Sequence, residues 1–239
     1  MLHMGTLIVF LLAAGELWVA ADSRVVAIGA QQAGAAAICK IHKFGAVFYA
    51  EAGLLQDTAG RFNAAAVAEQ AAGEQATVPV VADVFAARVL MPLVDTVRTL
   101  RRLNPRYYHA HVRGQVALQV AFFGMERQGP RLAIRRFVIH EAGPGDLSAA
   151  IDRFDCPGDC ANVRTWAFLG GSAVLNRFLE AHPHYLTTHG ARATLQRLMA
   201  LEATAHPDVV SPPVDILRMG PSGPTWVQRK PSCPPLPSS

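Results

Sequence analysis

Three residues near the start of the chain are of the types needed for a nucleophile and its supporting charges. Thr6 follows Gly5, and Asp22 comes sixteen positions after Thr6. A threonine hydroxyl is a weak nucleophile that needs a base, and the free amine of an N-terminal threonine can serve as that base. A cation such as Lys40 would lower the pKa of this amine by repulsion, and a carboxylate such as Asp22 would hold the cation in place. Taken singly, Thr6 fits an ordinary strand residue, Asp22 a turn cap and Lys40 the solvent face of a strand. Taken together, these residue types favour an N-terminal threonine nucleophile.

A β-hairpin is the element that must bring Asp22 to Thr6. The apolar runs Leu7 to Leu12 and Leu17 to Ala21 flank Ala14-Gly15-Glu16, which has the composition of a tight turn. Two short strands joined in this way return the end of the second strand to the start of the first. The sequence therefore predicts that Asp22 lies beside Thr6.

A secretory signal peptide is the rival interpretation of the same segment. The run from Leu7 to Ala14 could be its apolar region, with Val19-Ala20-Ala21 as the cleavage site. Cleavage there would discard Thr6. However, no Lys or Arg precedes the apolar run, and Glu16 interrupts it. We therefore favour the hairpin and a cytoplasmic protein, with export as the alternative if residues 1–21 are a signal peptide.

The pairing of Gly5-Thr6 with Ala20-Ala21-Asp22-Ser23-Arg24 resembles the opening of a 20S-proteasome β-type subunit, an N-terminal-nucleophile hydrolase. In that family, cleavage of a Gly-Thr bond makes the threonine the first residue. The resemblance implies that Thr6 is the nucleophile and that Asp22 and Lys40 are catalytic. Lys40 lies two positions later than the family norm, and the Gly-, Ala- and Gln-rich linker from Gly29 to Ala37 can absorb that difference.

The resemblance assigns roles to further residues. Gly53 matches the glycine whose backbone N–H donates to the oxyanion, and glycine suits a place where a substrate approaches the backbone closely. Asp208 and Ser211 match a supporting Asp-x-x-Ser motif, although two prolines follow Ser211 where the family has glycine. Glu51 is implied to lie at the floor of the substrate pocket, where a carboxylate would favour Lys or Arg before the scissile bond.

One expected hydroxyl group is missing from the chain. The family usually has Gly-Ser-Gly before its late helix, and this chain has Gly170-Gly171-Ser172, so Gly171 stands where a supporting serine is expected. Ser172 could replace that serine through a one-residue shift. Without such a shift, activity would be weakened or lost.

Composition predicts one globular protein without nucleic-acid or membrane partners. Of 239 residues, 51% are hydrophobic and 17% are charged, which is enough apolar surface for one good-sized core. The net charge of +4 is small and spread out, and no nucleic-acid motif or transmembrane-length apolar run accompanies it. The four cysteines are scattered, and we read Cys156 and Cys160 as ordinary thiols in a loop, with a local disulfide or a metal site as the less favoured alternatives. No metal or other cofactor is expected.

The order of predicted elements indicates an α+β fold. Four strands, two helices, three strands, two helices and two strands suggest helices on both faces of two stacked antiparallel sheets. The resemblance implies the same four-layer αββα sandwich. The predicted units are a propeptide at residues 1–5, an N-terminal-nucleophile hydrolase domain at residues 6–229 and a proline-rich disordered tail at residues 230–239. The inserted segment from Gly143 to Asn162 is predicted to be rich in loops.

The predicted function is a self-activating threonine peptidase of proteasome-like class. The alternatives are an inactive ring or scaffold subunit and an amidohydrolase that acts on a small amide. The resemblance implies a homo-oligomeric ring that takes peptides or unfolded proteins as substrates. Any ATP-dependent unfoldase would be a separate chain, because this sequence contains no nucleotide-binding glycine loop.

Overall fold

Four layers of secondary structure make up the part of the chain that the structure describes. This computed structural model describes residues 2–5, 7–23, 26–28, 38–57, 60–75, 77–143, 146–160, 165–171 and 173–233. Within those ranges, two antiparallel sheets stack face to face and helices cover both outer faces. The predicted αββα sandwich is confirmed.

The described elements comprise twelve strands and five helices. The strands are β1 (Leu2–Gly5), β2 (Leu7–Ala13), β3 (Glu16–Ala21), β4 (Val26–Ile28), β5 (Ile41–Phe44), β6 (Val47–Leu54), β7 (Val116–Glu126), β8 (Gly129–Gly143), β9 (Asp146–Cys156), β10 (Trp166–Gly170), β11 (Asp215–Gly220) and β12 (Gly223–Gln228). The helices are α1 (Ala64–Glu74), α2 (Val78–Leu103), α3 (Pro105–His111), α4 (Ala173–Ala181) and α5 (Tyr185–Ala205).

The smaller sheet is built around the predicted hairpin, which is confirmed. Its strand order is β10-β2-β3-β11-β12, so both hairpin strands lie in the interior of the sheet. Ala14 and Gly15 turn the chain with φ angles of 52° and 77°. Leu7 to Leu11 are fully buried. Removing residues 1–21 as a signal peptide would delete two interior strands, so the structure argues against that interpretation.

The larger sheet contains a strand that the sequence did not predict. Its order is β4-β1-β6-β7-β8-β9, and β5 pairs with the other half of β6. Strand β1 lies between β4 and β6, with Met4 opposite both Val26 and Leu54 and with Gly5 opposite Gly53. The segment predicted to be a propeptide is therefore incorporated into this sheet.

Strand alternation explains why the core has three apolar parts. In β6, Phe48 and Ala50 point toward the other sheet, whereas Val47 and Tyr49 point toward the helices that cover the larger sheet. A sheet buried on both faces needs apolar residues at successive positions, and β6 has them. A third apolar cluster joins the smaller sheet to α4 and α5.

Apolar residues at helical spacing predict helices over residues 58–72 and 78–103, and the second is confirmed as α2 at those bounds, but other elements differ from prediction. Helix α1 begins at Ala64 rather than Thr58, because Asn63 caps it by accepting a hydrogen bond from Ala66 N at 3.2 Å. Residues 146–156 form strand β9 where a loop-rich insert was predicted. Among the described helices, none is both long enough and apolar enough to cross a membrane.

The predictions for the cysteines and for the start of the tail were wrong. Cys39 is bonded to Cys233 and Cys156 to Cys160, so these residues form two disulfides rather than ordinary thiols. The predicted disordered tail began at Lys230, but Lys230 is only 1% exposed and Cys233 is 7% exposed. The linker at residues 29–37 and the remainder of the tail at residues 234–239 lie outside the described residues.

Candidate active site

Asp22 and Lys40 form a buried ion pair at the start of β2. Asp22 Oδ1 lies 2.5 Å from Lys40 Nζ and accepts a hydrogen bond from Leu7 N at 3.2 Å. Asp22 is 0% exposed and Lys40 is 4% exposed. Charges removed from water in this way must be paired, because an isolated buried charge is very costly. The structure thus brings together two of the predicted catalytic residues.

Backbone hydrogen bonds explain why these two residues meet. The hairpin register places Ile8 opposite Ala21, and Asp22 N then donates to Leu7 O at 3.3 Å. The segment that carries Lys40 is joined to the same place, because Ile38 N donates to Ser23 O at 3.2 Å. The unusual sequence position of Lys40 is therefore compatible with pairing to Asp22.

Burial changes the acid–base behaviour of Lys40. Loss of hydration lowers the pKa of the Lys40 ammonium to about 8, while the negative charge of Asp22 opposes that shift and the positive charge of Lys230 adds to it. Lys40 is thus mostly protonated at neutral pH and loses its charge under mildly alkaline conditions. An exposed lysine would keep its charge through that range.

Thr6, the predicted nucleophile, lies outside the described residues. Its two neighbours in the chain are described. Leu7 N donates to Asp22 Oδ1, and Gly5 pairs with Gly53 in the larger sheet. The chain on either side of Thr6 therefore contacts two of the groups that the sequence assigned to catalysis.

Gly53 occupies a position in β6 that only glycine can fill. Its φ angle is +103°, and a Cβ atom added there would lie 2.3 Å from Ala117 O. Gly53 is flanked by Leu118 on one side and by Gly5 on the other. The predicted oxyanion glycine thus faces the last residue of the candidate propeptide, where a peptide backbone can approach it closely.

Of the two other predicted supporting residues, Ser211 lies in a segment bonded to the residue after Asp22, whereas Asp208 lies on an exposed turn. Ser211 is half-buried, and its carbonyl accepts a hydrogen bond from Ser23 N at 3.1 Å, one residue from Asp22. The Ser23 hydroxyl donates to Pro213 O, which joins the same two segments. Asp208 is exposed on the turn that follows α5.

Gly171 lies near a buried carboxyl group that the sequence analysis missed. Gly170 pairs with Leu7, which brings this end of β10 beside the start of β2. A Cβ atom on Gly171 would be 3.9 Å from Glu202 Oε1. Glu202 is 4% exposed, burial raises its pKa, and its Oε2 has no hydrogen-bond partner among the described residues. Ser172 lies outside the described residues.

Only helical periodicity in the sequence could have drawn attention to Glu202. It follows Leu195, Leu198 and Met199 at the spacing of one buried helix face, and all four residues are buried. A carboxyl group in register with such a face is unusual and is a sign of a specific environment. No local motif accompanies it.

Glu51, the predicted pocket residue, is 7% exposed and points toward the helices that cover the larger sheet. Its Oε1 has no hydrogen-bond partner among the described residues. Burial, together with repulsion from Glu69, raises its pKa to about 8. At neutral pH the side chain is therefore mostly a neutral acid, whereas the specificity argument from sequence assumed a carboxylate.

Lys230 is a further residue that the sequence analysis missed at this place. Its Nζ donates hydrogen bonds to Asp22 O and to Ile38 O, both at 2.8 Å. A lysine next to proline near the end of the chain carried no signal of such burial, and it was assigned to a disordered tail.

Comparison of the chain with protein-family models and with curated proteins found no match.

Proposed function

We propose that this chain is a threonine peptidase of proteasome-like class, which activates itself by cleaving the Gly5–Thr6 bond. The observation that carries the proposal is the buried Asp22–Lys40 pair, whose carboxylate accepts a hydrogen bond from Leu7 N, immediately after Thr6. A lysine–carboxylate pair kept from water is costly to build, and groups with displaced pKa values gather at catalytic sites.

The first residues of the chain support a peptide as the substrate. Strand β1 is extended and pairs with a neighbour on each side, through Met4 with Val26 and through Gly5 with Gly53. Addition of an extended strand between two others is a recognised way to bind peptides. A small amide has no such backbone to pair. We therefore favour peptide hydrolysis over hydrolysis of a small amide.

The proposed cleavage divides the work among the residues at this site. The Thr6 hydroxyl oxygen attacks the carbonyl carbon before Thr6, and the acyl group moves from nitrogen to oxygen; water then hydrolyses this ester and leaves a free Thr6 amine. On a substrate, the Thr6 hydroxyl oxygen attacks the scissile carbonyl carbon while that amine accepts the hydroxyl proton, and the amine then passes the proton to the departing amine as the C–N bond breaks. Water releases the second acyl group. Gly53 N–H stabilises the oxyanion in each step.

In the same proposal, Asp22 and Lys40 tune the Thr6 amine. The Lys40 cation disfavours a second positive charge nearby, so the amine stays neutral enough to accept a proton. Asp22 keeps that cation in position, and its contact with Leu7 N fixes the adjoining backbone. Ser211 and Asp208 are proposed to support the amine from the segment that adjoins Ser23.

We also propose that Glu51 selects Lys or Arg before the scissile bond. A cationic substrate group would stabilise the ionised form of this buried acid, so that binding and proton loss are coupled. Cleavage rates for basic, acidic and apolar fluorogenic peptides test this assignment. Equal rates for all three classes would remove it while leaving the peptidase proposal intact.

Intact mass of the purified protein tests the central proposal. The parent chain is expected to lose Met1 to Gly5, and Thr6→Ala should keep them and lack peptidase activity, because the hydroxyl performs both reactions. A matched Thr165→Ala variant, which removes a hydroxyl just before β10, should process normally. A Thr6→Ala variant that hydrolyses peptides as fast as the parent contradicts the mechanism.

A non-proteolytic ring subunit is the second candidate function. It is favoured by Gly171, which supplies no hydroxyl where the resemblance implies a serine. The two functions differ in the N-terminal residue of the assembled protein, which is threonine only after processing. Retention of Met1 to Gly5 in assembled rings would favour the scaffold.

A further inference from the structure

Lys230 is a buried cation that the proposed reaction does not use. It lies just beyond β12, in the segment from Arg229 to Cys233, which we call the C-terminal strap. Its side chain is fully buried, and Nζ donates to Asp22 O and to Ile38 O at 2.8 Å each. An ammonium group has three hydrogens to donate. Two of them go to backbone atoms at the candidate active site.

These two carbonyl groups flank the Asp22–Lys40 pair. One belongs to Asp22 itself, and the other belongs to Ile38, two residues before Lys40. Lys230 therefore joins the two backbone segments whose side chains form the ion pair. A small displacement of either segment would change the distance between Asp22 Oδ1 and Lys40 Nζ.

The smaller sheet fixes Lys230 through Asp215. Asp215 is 0% exposed and is the first residue of β11, opposite Ala21 of β3. Its Oδ1 accepts a hydrogen bond from Lys230 N at 2.8 Å, and its Oδ2 lies 3.3 Å from Lys230 Nζ. Asp215 Oδ2 also pairs with Arg229 at 3.1 Å. Both cations at the start of the strap are thus tied to a buried strand.

A disulfide ties the other end of the strap to the residue before Lys40. Cys233 is bonded to Cys39, and their Cα atoms are 5.6 Å apart. Cys233 N also donates to Lys230 O at 3.0 Å, which closes a turn within the strap. The strap therefore holds the Lys40 segment by a covalent bond at Cys39 and by a hydrogen bond at Ile38.

We propose that Lys230 is a positioning residue for the Asp22–Lys40 pair and that the C-terminal strap holds it in that role. The inference deepens the proposed function, because it assigns Lys230 to the site that would tune the Thr6 amine. Two effects are combined in Lys230. It fixes the backbone on both sides of the pair, and its positive charge lowers the pKa of Lys40, adding to the larger effect of burial.

The lysine content of the chain permits a direct test. The sequence contains three lysines, Lys40, Lys43 and Lys230. Protein labelled with carbon-13 at lysine Cε should therefore give three side-chain signals, and each can be followed by NMR as the pH is raised. Assignment uses Lys40→Met, Lys43→Met and Lys230→Met. The titration midpoint of Lys40 is the main readout, because general loss of stability does not move it while the protein stays folded.

In Lys230→Met the Lys40 midpoint is expected to rise, because a neighbouring positive charge is removed. The peptidase kcat should fall by about 10-fold to 100-fold with little change in KM, the pattern of a displaced catalytic group rather than lost substrate binding. Lys230→Arg keeps the charge and should recover part of both properties. Lys43→Met removes an exposed lysine from β5 and should leave both unchanged.

The NMR result decides this inference independently of the proposed function. A chain with no peptidase activity would overturn the function, but a raised Lys40 midpoint in Lys230→Met would still support the positioning role. A folded Lys230→Met protein in which Lys40 titrates as in the parent would overturn that role.

If Lys230→Met fails to fold, two pairs of cysteine substitutions test the inference instead. Cys39→Ser/Cys233→Ser releases the strap that holds Lys230 near Lys40 and should therefore raise the titration midpoint of Lys40. Cys156→Ser/Cys160→Ser breaks the disulfide beside β9, on the far edge of the larger sheet, and should leave that midpoint at the parent value. Equal midpoints in both double variants would overturn the inference.

Discussion

Burial gives Lys40 a property that its residue type alone does not have. Lost hydration lowers its pKa to about 8, the negative charge of Asp22 opposes that shift, and the positive charge of Lys230 adds to it. The charge on Lys40 therefore depends on pH within the working range of most enzymes. In the proposed mechanism this charge is what keeps the Thr6 amine neutral.

The contribution of Lys40 to the proposed peptidase activity should be greatest below about pH 8. An α-amine with its ordinary pKa of about 7.7 to 8.0 is mostly protonated there, and the Lys40 cation keeps the Thr6 amine neutral. Lys40→Met should therefore lower kcat/KM by about 10-fold at pH 7, and this loss should shrink as the pH rises toward 10. Comparison of the pH–rate profiles of the two proteins from pH 6 to 10 tests this expectation. A loss of the same size at every pH contradicts the assigned role.

Folding raises the pKa of Glu51, whereas it lowers the pKa of Lys40. The pKa of Glu51 rises from 4.5 to about 8 on folding, so the folded chain holds a proton that the unfolded chain has released between those values. Folding stability contributed by Glu51 is therefore greatest below pH 4.5 and is lost as the pH rises to about 8.

Replacing Glu51 with glutamine should remove that pH dependence. The parent is expected to lose about 2 to 4 kcal/mol of unfolding free energy between pH 5 and pH 8 through this residue. The glutamine of Glu51→Gln stays neutral, so this variant should lose about 2 to 4 kcal/mol less unfolding free energy between pH 5 and pH 8 than the parent. Urea denaturation at several pH values measures the difference. Parallel stability curves for the two proteins would mean that Glu51 is ionised in the folded chain.

At the residue scale, sequence could identify groups that belong to a local motif and no others. Asp22 follows a recognisable strand, and Lys40 belongs to an alternating segment, so both could be chosen before the structure was known. Glu202 and Lys230 approach the site only because α5 and the chain after β12 pack against it. Burial of that kind depends on contacts between distant parts of the chain, which no short pattern contains.

Cleavage before Thr6 would change the strand pairing of the larger sheet, because it would remove β1. It fills the space between β4 and β6 and pairs with both. Loss of residues 1–5 would leave the adjacent backbone groups of Leu54 and Val26 without these partners. An unpaired strand edge is able to accept another extended chain.

Hydrogen exchange should report this change at the level of strands. In Thr6→Ala protein, which keeps the leader, amides of β4 and of the end of β6 should exchange slowly. After processing of the parent chain they should exchange faster, and an excess of peptide substrate should slow them again. Amides of β8, which pairs with β7 and β9, serve as the internal control. Unchanged exchange in β4 and β6 would count against β1 as a mimic of a bound peptide.

Elements with strong periodicity were predictable, and those with mixed composition were not. Helix α2 has sustained apolar spacing and ends where predicted, and the hairpin of β2 and β3 has a clear turn. Strand β9 mixes apolar residues with Asp, Ser and Arg, as suits an edge strand that pairs only with β8 among the described strands. Its flanking turns and cysteines made it look like a loop.

At the scale of the whole molecule, a disulfide joins residues separated by 194 positions. A cross-link that closes so long a loop restricts the unfolded chain strongly. It also connects the strap after β12 to the segment just before β5. Cytosolic thiols are usually kept reduced, so this disulfide counts against the cytoplasmic location predicted from the sequence.

The two disulfides should therefore contribute unequally to stability. Cys39→Ser/Cys233→Ser is expected to lower the unfolding free energy by about 3 to 5 kcal/mol, and Cys156→Ser/Cys160→Ser should lower it by less, since its loop is short. Thiol counting on denatured oxidised protein should find no free thiol in the parent. Four free thiols in protein purified without reductant would contradict the pairing.

The layered fold could be predicted as a whole because many weak signals agree on it. Each sheet-and-helix segment needs an apolar partner, and the order of segments leaves few ways to stack them. The disulfides and the position of the strap could not be predicted in the same way. Cysteine pairing depends on the folded distance between Cα atoms, and Cys39 and Cys233 gave no local sign that they would meet.

The way in which β1 joins its neighbours also bears on the substrates that the proposed peptidase would accept. Peptide groups, which every polypeptide shares, make the pairing, so the identity of the amino acids entering that groove matters little for attachment. Direction matters more, since antiparallel alignment with both neighbours admits a chain in only one sense. An enzyme with such a groove would bind peptide backbones of diverse sequence, but each would lie in the groove in the same N-to-C direction.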